Sequence, residues 1–374
     1  MDNITIFGAP SRYIQGAGAI YEIGGFIKPF AGDALVAGGN TGLAVTREGR
    51  TSSFEAHGVK QTEIVFSGEP SDREIGRLAE TGRSLGCDVI IATGGGKAID
   101  AVKAAAEQLG VPAVVVPTMA GNDAPCSALA IIHNDDGTFN RMQPLKNSPR
   151  IVLVDTEIIA RAPVRTLVSG MGDALATYYE AVTCSNSKSL NNFGGAISET
   201  TLGLARLCLE TLMEYGAAAK EACEKKTVDP ALERIVEANT LLSGLGFESG
   251  GVAIAHSLSD AFTSFPRMRG YTHGEQVAFG TLAHLCAEKA PLSTIRETAC
   301  FCRDVGLPYT LGAFGLEASD PDIRRIAEIA AQEGKPSHNL TSEVTGDSIY
   351  EAIIEADRIG RELRHPGLDP GSPG

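Results

Sequence analysis

The chain holds 374 residues, about two domains at roughly 150 residues each. Its 32 Lys and Arg against 46 Asp and Glu leave a net charge of −14, which argues against a nucleic-acid surface or a basic membrane patch. Hydrophobic residues at 43% are ample for a core, no apolar run approaches the ~18 residues of a membrane span, and Met1 to Phe7 lacks the pattern of a secretory signal. Eight cysteines form no CxxC pair and no finger-like ladder with histidine, so reduced thiols and a cytoplasmic setting are expected.

Up to about residue 162 the chain alternates short β-type runs with helical patterns, as βαβ units do. Strands are predicted at Ala34 to Ala37, Glu63 to Phe66, Asp88 to Ala92, Ala113 to Val116 and Ile151 to Val154, each apolar on both faces as in a parallel sheet. Helices are predicted at Ser71 to Leu85 and Ala98 to Leu109. Ala128 to Ile132 and Thr138 to Met142, flanking Asn134-Asp135-Asp136-Gly137, predict a hairpin beside the main sheet.

After Ala162-Pro163 the predicted elements are helical: Ala174 to Cys184, Ala196 to Tyr215, Ala231 to Leu245, Ala253 to Thr263, Gly274 to Lys289 and Ile323 to Gln332. The expected organisation is an α/β domain over 1–162, an all-α domain over 163–364 and a flexible Pro/Gly tail over 365–374.

The predicted strand ending at Thr93 passes straight into Gly94-Gly95-Gly96-Lys97 and the helix from Ala98. Such a junction gathers free backbone N–H groups and the positive end of a helix dipole, and glycines let a phosphate approach closely. Lys97 adds a point charge. The spacing is neither Walker A, which fails at Ile91 and Ala98, nor GxGxxG, which counted from Gly94 meets Ile99 at its sixth position. A phosphate cradle and an ordinary tight turn both fit. The turn after the next strand, Pro117 to Ser127, carries small and hydroxyl side chains beside Asp123. It suits a polar ligand beyond the carboxyl ends of the strands, or Asp123 simply caps a turn.

Three further residues stand out. Asp173, in Gly170-Met171-Gly172-Asp173, fits a helix N-cap when taken alone. His256 lies in an apolar helical stretch, and His273 at a loop-to-helix junction, where structural roles are the default. Together they supply one carboxylate and two imidazoles, the donor set of an open Zn²⁺ or Fe²⁺ site.

These stretches, with Ile235 to Gly251 the most specific among them, resemble the glycerol dehydrogenase branch of the iron-containing (group III) alcohol dehydrogenases. The likeness covers residues 1 to about 363 and implies a dehydroquinate synthase-like fold, with the active site in the cleft between the two domains. It implies a metal, zinc rather than iron, on Asp173, His256 and His273, and a substrate contact at Asp123. It implies NAD held by Gly95, Gly96, Lys97, Ala98, Ile99 and Asp100 and by Thr118, Met119, Ala120 and Gly121. Ser127, Leu129 and His133 would line the nicotinamide side. Two departures are Gly39, where NAD-using relatives commonly carry Asp, and His133, where relatives often carry Tyr. Without a carboxylate at position 39 nothing repels a 2′-phosphate, so NADP is expected to be accepted as well.

The activity so implied is metal-dependent, reversible oxidation of glycerol to dihydroxyacetone with NAD(P), by a homo-oligomer such as an octamer. An NADPH-dependent reductase of another diol or hydroxy acid is the alternative within the same chemistry. A lyase like 3-dehydroquinate synthase would need a basic pocket for a phosphorylated acid, and no Lys/Arg cluster surrounds the three ligand candidates in the sequence.

Overall fold

The computed structural model describes residues 4–363, so the tail expected over 365–374 lies outside the described residues. The strands are β1 (Arg12–Gly16), β2 (Asp33–Gly38), β3 (Lys60–Val65), β4 (Val89–Gly94), β5 (Ala113–Pro117), β6 (Leu129–His133), β7 (Phe139–Pro144) and β8 (Ile151–Asp155). Among them run α1 (Ile23–Ile27), α2 (Asn40–His57), α3 (Asp72–Leu85) and α4 (Gly96–Leu109), followed after β8 by α5 (Thr156–Arg161). The rest is helical: α6 (Val164–Ser187), α7 (Glu199–Glu224), α8 (Pro230–Glu237), α9 (Ser243–Gly250), α10 (Ile254–Thr263), α11 (His273–Ala287), α12 (Leu292–Val305), α13 (Pro321–Ala330) and α14 (Gly346–Glu362).

Six strands pair in parallel in the order β1-β8-β5-β4-β2-β3, and β6 and β7 form a separate antiparallel hairpin. The central strands β4, β5 and β8 are apolar and buried on both faces, as helix-covered parallel strands must be. The chain leaves β2 toward β3 on one side and leaves β4 toward β5 on the other, so the strand order reverses between β2 and β4. Open α/β sheets bind ligands outside the carboxyl ends of strands at such a reversal. Here those ends are Gly38-Gly39 and Gly94-Gly95-Gly96.

The predicted strands and hairpin are present. β1 was not foreseen, because its sequence Arg-Tyr-Ile-Gln-Gly is too polar to stand out and owes its place to pairing with β8. The reading of Asp173 as an N-cap is corrected: α6 begins nine residues earlier in the chain, at Val164, and Asp173 is buried in its middle. The predicted helix over Ala231 to Leu245 is α8, a π-turn at Ala238–Leu242 and the start of α9. The largest hydrophobic core joins both halves, running from Leu35, Ile90 and Val115 through Met171 and Leu175 to Leu212 and Val236.

Candidate active site

Asp173, His256 and His273 are separated by up to 100 residues in sequence, yet their ligand atoms lie within 4.8 Å of one another. Each comes from a different helix. Asp173 sits in mid-α6, His256 in the first turn of α10, and His273 at the first residue of α11, whose Thr272–Glu275 capping box fixes its start. Arg165, from the first turn of α6, grips Glu275 through two contacts of 2.7 Å and so braces that helix start.

The Asp173 carboxylate is divided between two tasks. Its Oδ2 accepts a hydrogen bond from the Asp123 backbone N–H at 3.3 Å. Its Oδ1 is buried without a hydrogen-bond partner and faces His256 Nε2 at 3.5 Å and His273 Nε2 at 3.2 Å. Burial pushes this carboxyl up, but the two imidazoles outweigh it and hold the group well below the usual carboxylate range. An orphaned buried oxygen pointing at two imidazole nitrogens is an incomplete arrangement that a divalent cation completes, so the residues fit a metal. The far ring nitrogens are also engaged: His256 Nδ1 meets Glu180 at 2.5 Å and His273 Nδ1 meets Ser259 Oγ at 3.0 Å.

Asp123 borders the same cluster. Its Oδ2 accepts from Ser243 Oγ at 3.0 Å, and Ser243 Oγ lies 3.0 Å from Thr177 Oγ1. Burial and the neighbouring Asp173 charge push the Asp123 carboxyl up to about 7, against the opposing pull of both histidines and Ser243. The π-turn immediately before Ser243 places Asn239, whose Nδ2 donates to the carbonyls of Ala120 and Leu167, each at 3.0 Å.

The glycine turn lies where the sequence predicts. Gly95 is the extended residue before α4, with no side chain capping the helix N-terminus. A Cβ on Gly96 would stand 2.6 Å from Asn122 Nδ2, and one on Gly95 3.1 Å from Met119 Sδ, so the two loops touch. Thr118 donates its N–H to the Gly94 carbonyl at 3.0 Å, and Ser169 Oγ donates to the Gly121 carbonyl at 3.1 Å. Gly39, by contrast, faces open space: a Cβ there would meet nothing within 4 Å.

Other candidate side chains are engaged with partners of their own or buried. Lys97 pairs with Glu69 at 2.6 Å, and His133 Nδ1 lies 3.8 Å from the other Glu69 oxygen. Ala98 and Ile99 are buried in the domain interior, and Asp100 is buried against Lys103 Nζ at 3.1 Å while accepting from the Ile131 N–H at 3.2 Å. Lys103 itself is a buried ammonium that the sequence reading passed over. It donates to the Ala124 carbonyl at 2.8 Å, to Ser127 Oγ at 3.2 Å and to the Leu129 carbonyl, so it ties down the loop that carries Asp123. Glu248, on α9, holds the same loop from the helical side by accepting the Ala128 N–H at 2.6 Å.

The sequence profile described as "Iron-containing alcohol dehydrogenase" matches residues 10–156. Over 363 residues the chain is 47% identical to the glycerol dehydrogenase of Thermotoga maritima, covering 96% of this chain and 98% of that one. It is 44% identical to the glycerol dehydrogenase of an Escherichia coli strain, with the same coverage of both. The crystal structure of glycerol dehydrogenase from Schizosaccharomyces pombe, 32% identical, superposes with a TM-score of 0.92 over 97% of this chain and 92% of that one. The chain belongs to the iron-containing alcohol dehydrogenase family. Full-length identity at this level carries the fold and places the chain among metal-dependent oxidoreductases acting on CH–OH groups. Glu180, Ser259, Ser243 and Lys103 escaped the sequence reading. The one available signal was on α6, where Asp173, Thr177 and Glu180 recur at helical spacing and so share one face.

Proposed function

We propose that the chain catalyses the reversible oxidation of glycerol to dihydroxyacetone with a nicotinamide dinucleotide. The observation that carries this is the orphaned Asp173 Oδ1 facing two imidazole Nε2 atoms, with Asp123 alongside. Asp173, His256 and His273 would hold a divalent cation, zinc in preference to iron. Such a cation would supply Lewis acidity, which lowers the pKa of an alcohol beside it.

This chain's own residues do the rest. The N-terminus of α4, with Gly95 and Gly96, offers backbone N–H groups to the dinucleotide pyrophosphate. Residues 1–162 then form the dinucleotide half, residues 163–364 the metal half, and the loop over 118–129 borders the substrate. Lys103 and Glu248 hold that loop in place before substrate arrives, so little ordering is left to binding. Asp123 accepts a hydrogen bond from a second substrate hydroxyl, a contact that a simple alcohol cannot make. The carbinol hydrogen leaves as hydride for the nicotinamide ring and the hydroxyl proton leaves to solvent, which balances glycerol and oxidised cofactor against dihydroxyacetone, reduced cofactor and a proton.

Open space at Gly39 supports use of NADP beside NAD, because no carboxylate stands there to repel a 2′-phosphate. The family likeness supports a soluble homo-oligomer, which light scattering tests. The substrate reading is tested with a panel of glycerol, 1,2-propanediol, 2-propanol and lactate. Glycerol and the vicinal diol are expected to exceed 2-propanol in kcat/KM by at least ~10-fold. Equal values for the diols and 2-propanol, or a preference for lactate, would overturn it.

A further inference from the structure

Glu180 lies seven residues after Asp173 on the same helix face and is wholly buried. Its two oxygens do different work. Oε1 accepts the backbone N–H of Ala253 at 2.8 Å and of His256 at 3.2 Å. These are donors at the start of α10, a helix whose own N-cap residue, Ala253, has no side chain able to cap it. Oε2 lies 2.5 Å from His256 Nδ1. A carboxylate can only accept there, so the ring carries a hydrogen on Nδ1, and the neutral ring that can ligate then has its lone pair on Nε2. That Nε2 is the atom facing Asp173 Oδ1.

We propose that Glu180 is the positioning residue of the metal site: one carboxylate caps α10 from outside and, through the same helix start, fixes His256 in the tautomer and orientation that ligate. The proposal rests on the metal reading above. The arrangement also explains why so apolar a stretch as Gly251 to Ser257 can hold a ligand rigidly. Ring and backbone of His256 are both tied to one side chain, and that side chain stands two turns along the helix that presents Asp173. Ser259 gives His273 only a neutral partner at 3.0 Å, so the charged orienting group serves His256 alone of the two histidines.

Glu180→Gln separates the two tasks. The amide oxygen of glutamine replaces Oε1 in the cap, which leaves its NH₂ toward His256 Nδ1. A donor there forces the lone pair onto Nδ1 and the hydrogen onto Nε2, the wrong tautomer for ligation. Zn²⁺ affinity, measured by competition with a chromophoric chelator, is expected to fall ~10–100-fold. The melting temperature of the metal-free variant is expected to stay within about 1 °C of wild type, because the cap survives. Zinc affinity within twofold of wild type overturns the proposal, and a fall in melting temperature with unchanged affinity assigns Glu180 to folding alone. Wild-type protein that binds no zinc would overturn the metal reading and this proposal with it, a result distinct from a failure of Glu180 alone. Should the variant not fold, Co²⁺-loaded wild type decides: paramagnetic proton spectra are expected to show exchangeable, shifted Nδ1–H signals from two imidazoles. Their absence for His256 refutes the assignment.

Discussion

Gly274 follows the ligand His273 and lies where α11 crosses α6. A Cβ at this position would stand 1.7 Å from the Ser169 carbonyl oxygen and 3.0 Å from the Asp173 backbone nitrogen. The matching face is equally tight, since a Cβ on Gly172 would meet the Gly274 carbonyl oxygen at 2.3 Å. An ordinary contact between carbon and a carbonyl oxygen is about 3.3 Å, so Gly274→Ala drives the two helices apart locally by roughly 1.5 Å. Inserting a methyl into so close a crossing costs about 2–3 kcal/mol, or ~3–4 °C in melting temperature for a chain of this length. The displacement also falls between Asp173 and His273, whose facing atoms are 3.2 Å apart. Zinc affinity is therefore expected to drop at least ~10-fold, and turnover ~100-fold for a misplacement of an ångström or more. Gly76→Ala is the control: it lies inside α3, a Cβ there meets nothing within 4 Å, and the change is expected to stabilise by ~0.5–1 kcal/mol. Thermal melts and a zinc competition titration on both variants are the assay. Gly274→Ala protein that melts within 1 °C of wild type, by an ~1 °C margin of error, and binds zinc as tightly would refute the reasoning.

Three other predictions follow from the same geometry. His256→Ala is expected to lose at least ~1,000-fold in kcat, as removal of an essential catalytic component does, with an unchanged circular dichroism spectrum; substantial residual turnover would remove it from the ligand set. Gly39→Asp is expected to fold normally, since its side chain enters open space, and to shift the ratio of kcat/KM toward NAD by ~10-fold or more; an unchanged ratio would show that the 2′-phosphate does not approach this position. Glu248 is held up to about 7 by burial, against Lys103 and the Ala128 N–H. Its proton is thus bound in the folded state and released in the unfolded one between pH ~4.5 and ~7, so its contribution to stability declines as pH rises through that window and levels off above it. Glu248→Gln keeps the Ala128 bond through its amide oxygen and is expected to melt near wild type at pH 4.5 but above it at pH 8, by up to about 3 kcal/mol in stability; an equal difference at both pH values would contradict the shift.

Much of the architecture was legible because burial writes itself into parallel strands. Val89 to Ala92 and Val114 to Val116 are apolar on both faces, as strands of a helix-covered parallel sheet are. The polar β1 left no such mark, since its stability comes from pairing with β8 rather than from its own side chains. The ligand residues were legible as chemistry but not as geometry: Asp173 resembled an N-cap because Gly170 and Gly172 looked like a helix boundary. Those glycines are instead demanded by the crossing with α11 and with the loop at Ala120, where any Cβ would strike a backbone carbonyl. Glu180 and Lys103 stayed hidden for a different reason. Buried charges owe their meaning to partners 76 and 26 residues away, and no local pattern records that.

The central claim is that Asp173, His256 and His273 make this chain a metal-dependent oxidoreductase of glycerol. Its most direct test is the initial rate of nicotinamide reduction with glycerol on zinc-loaded protein, after exhaustive chelation, and after zinc is restored. The expected result is turnover that chelation abolishes and zinc returns, with dihydroxyacetone as product. Undiminished turnover in metal-free protein, or no oxidation of glycerol by zinc-loaded protein with either NAD or NADP, would contradict it.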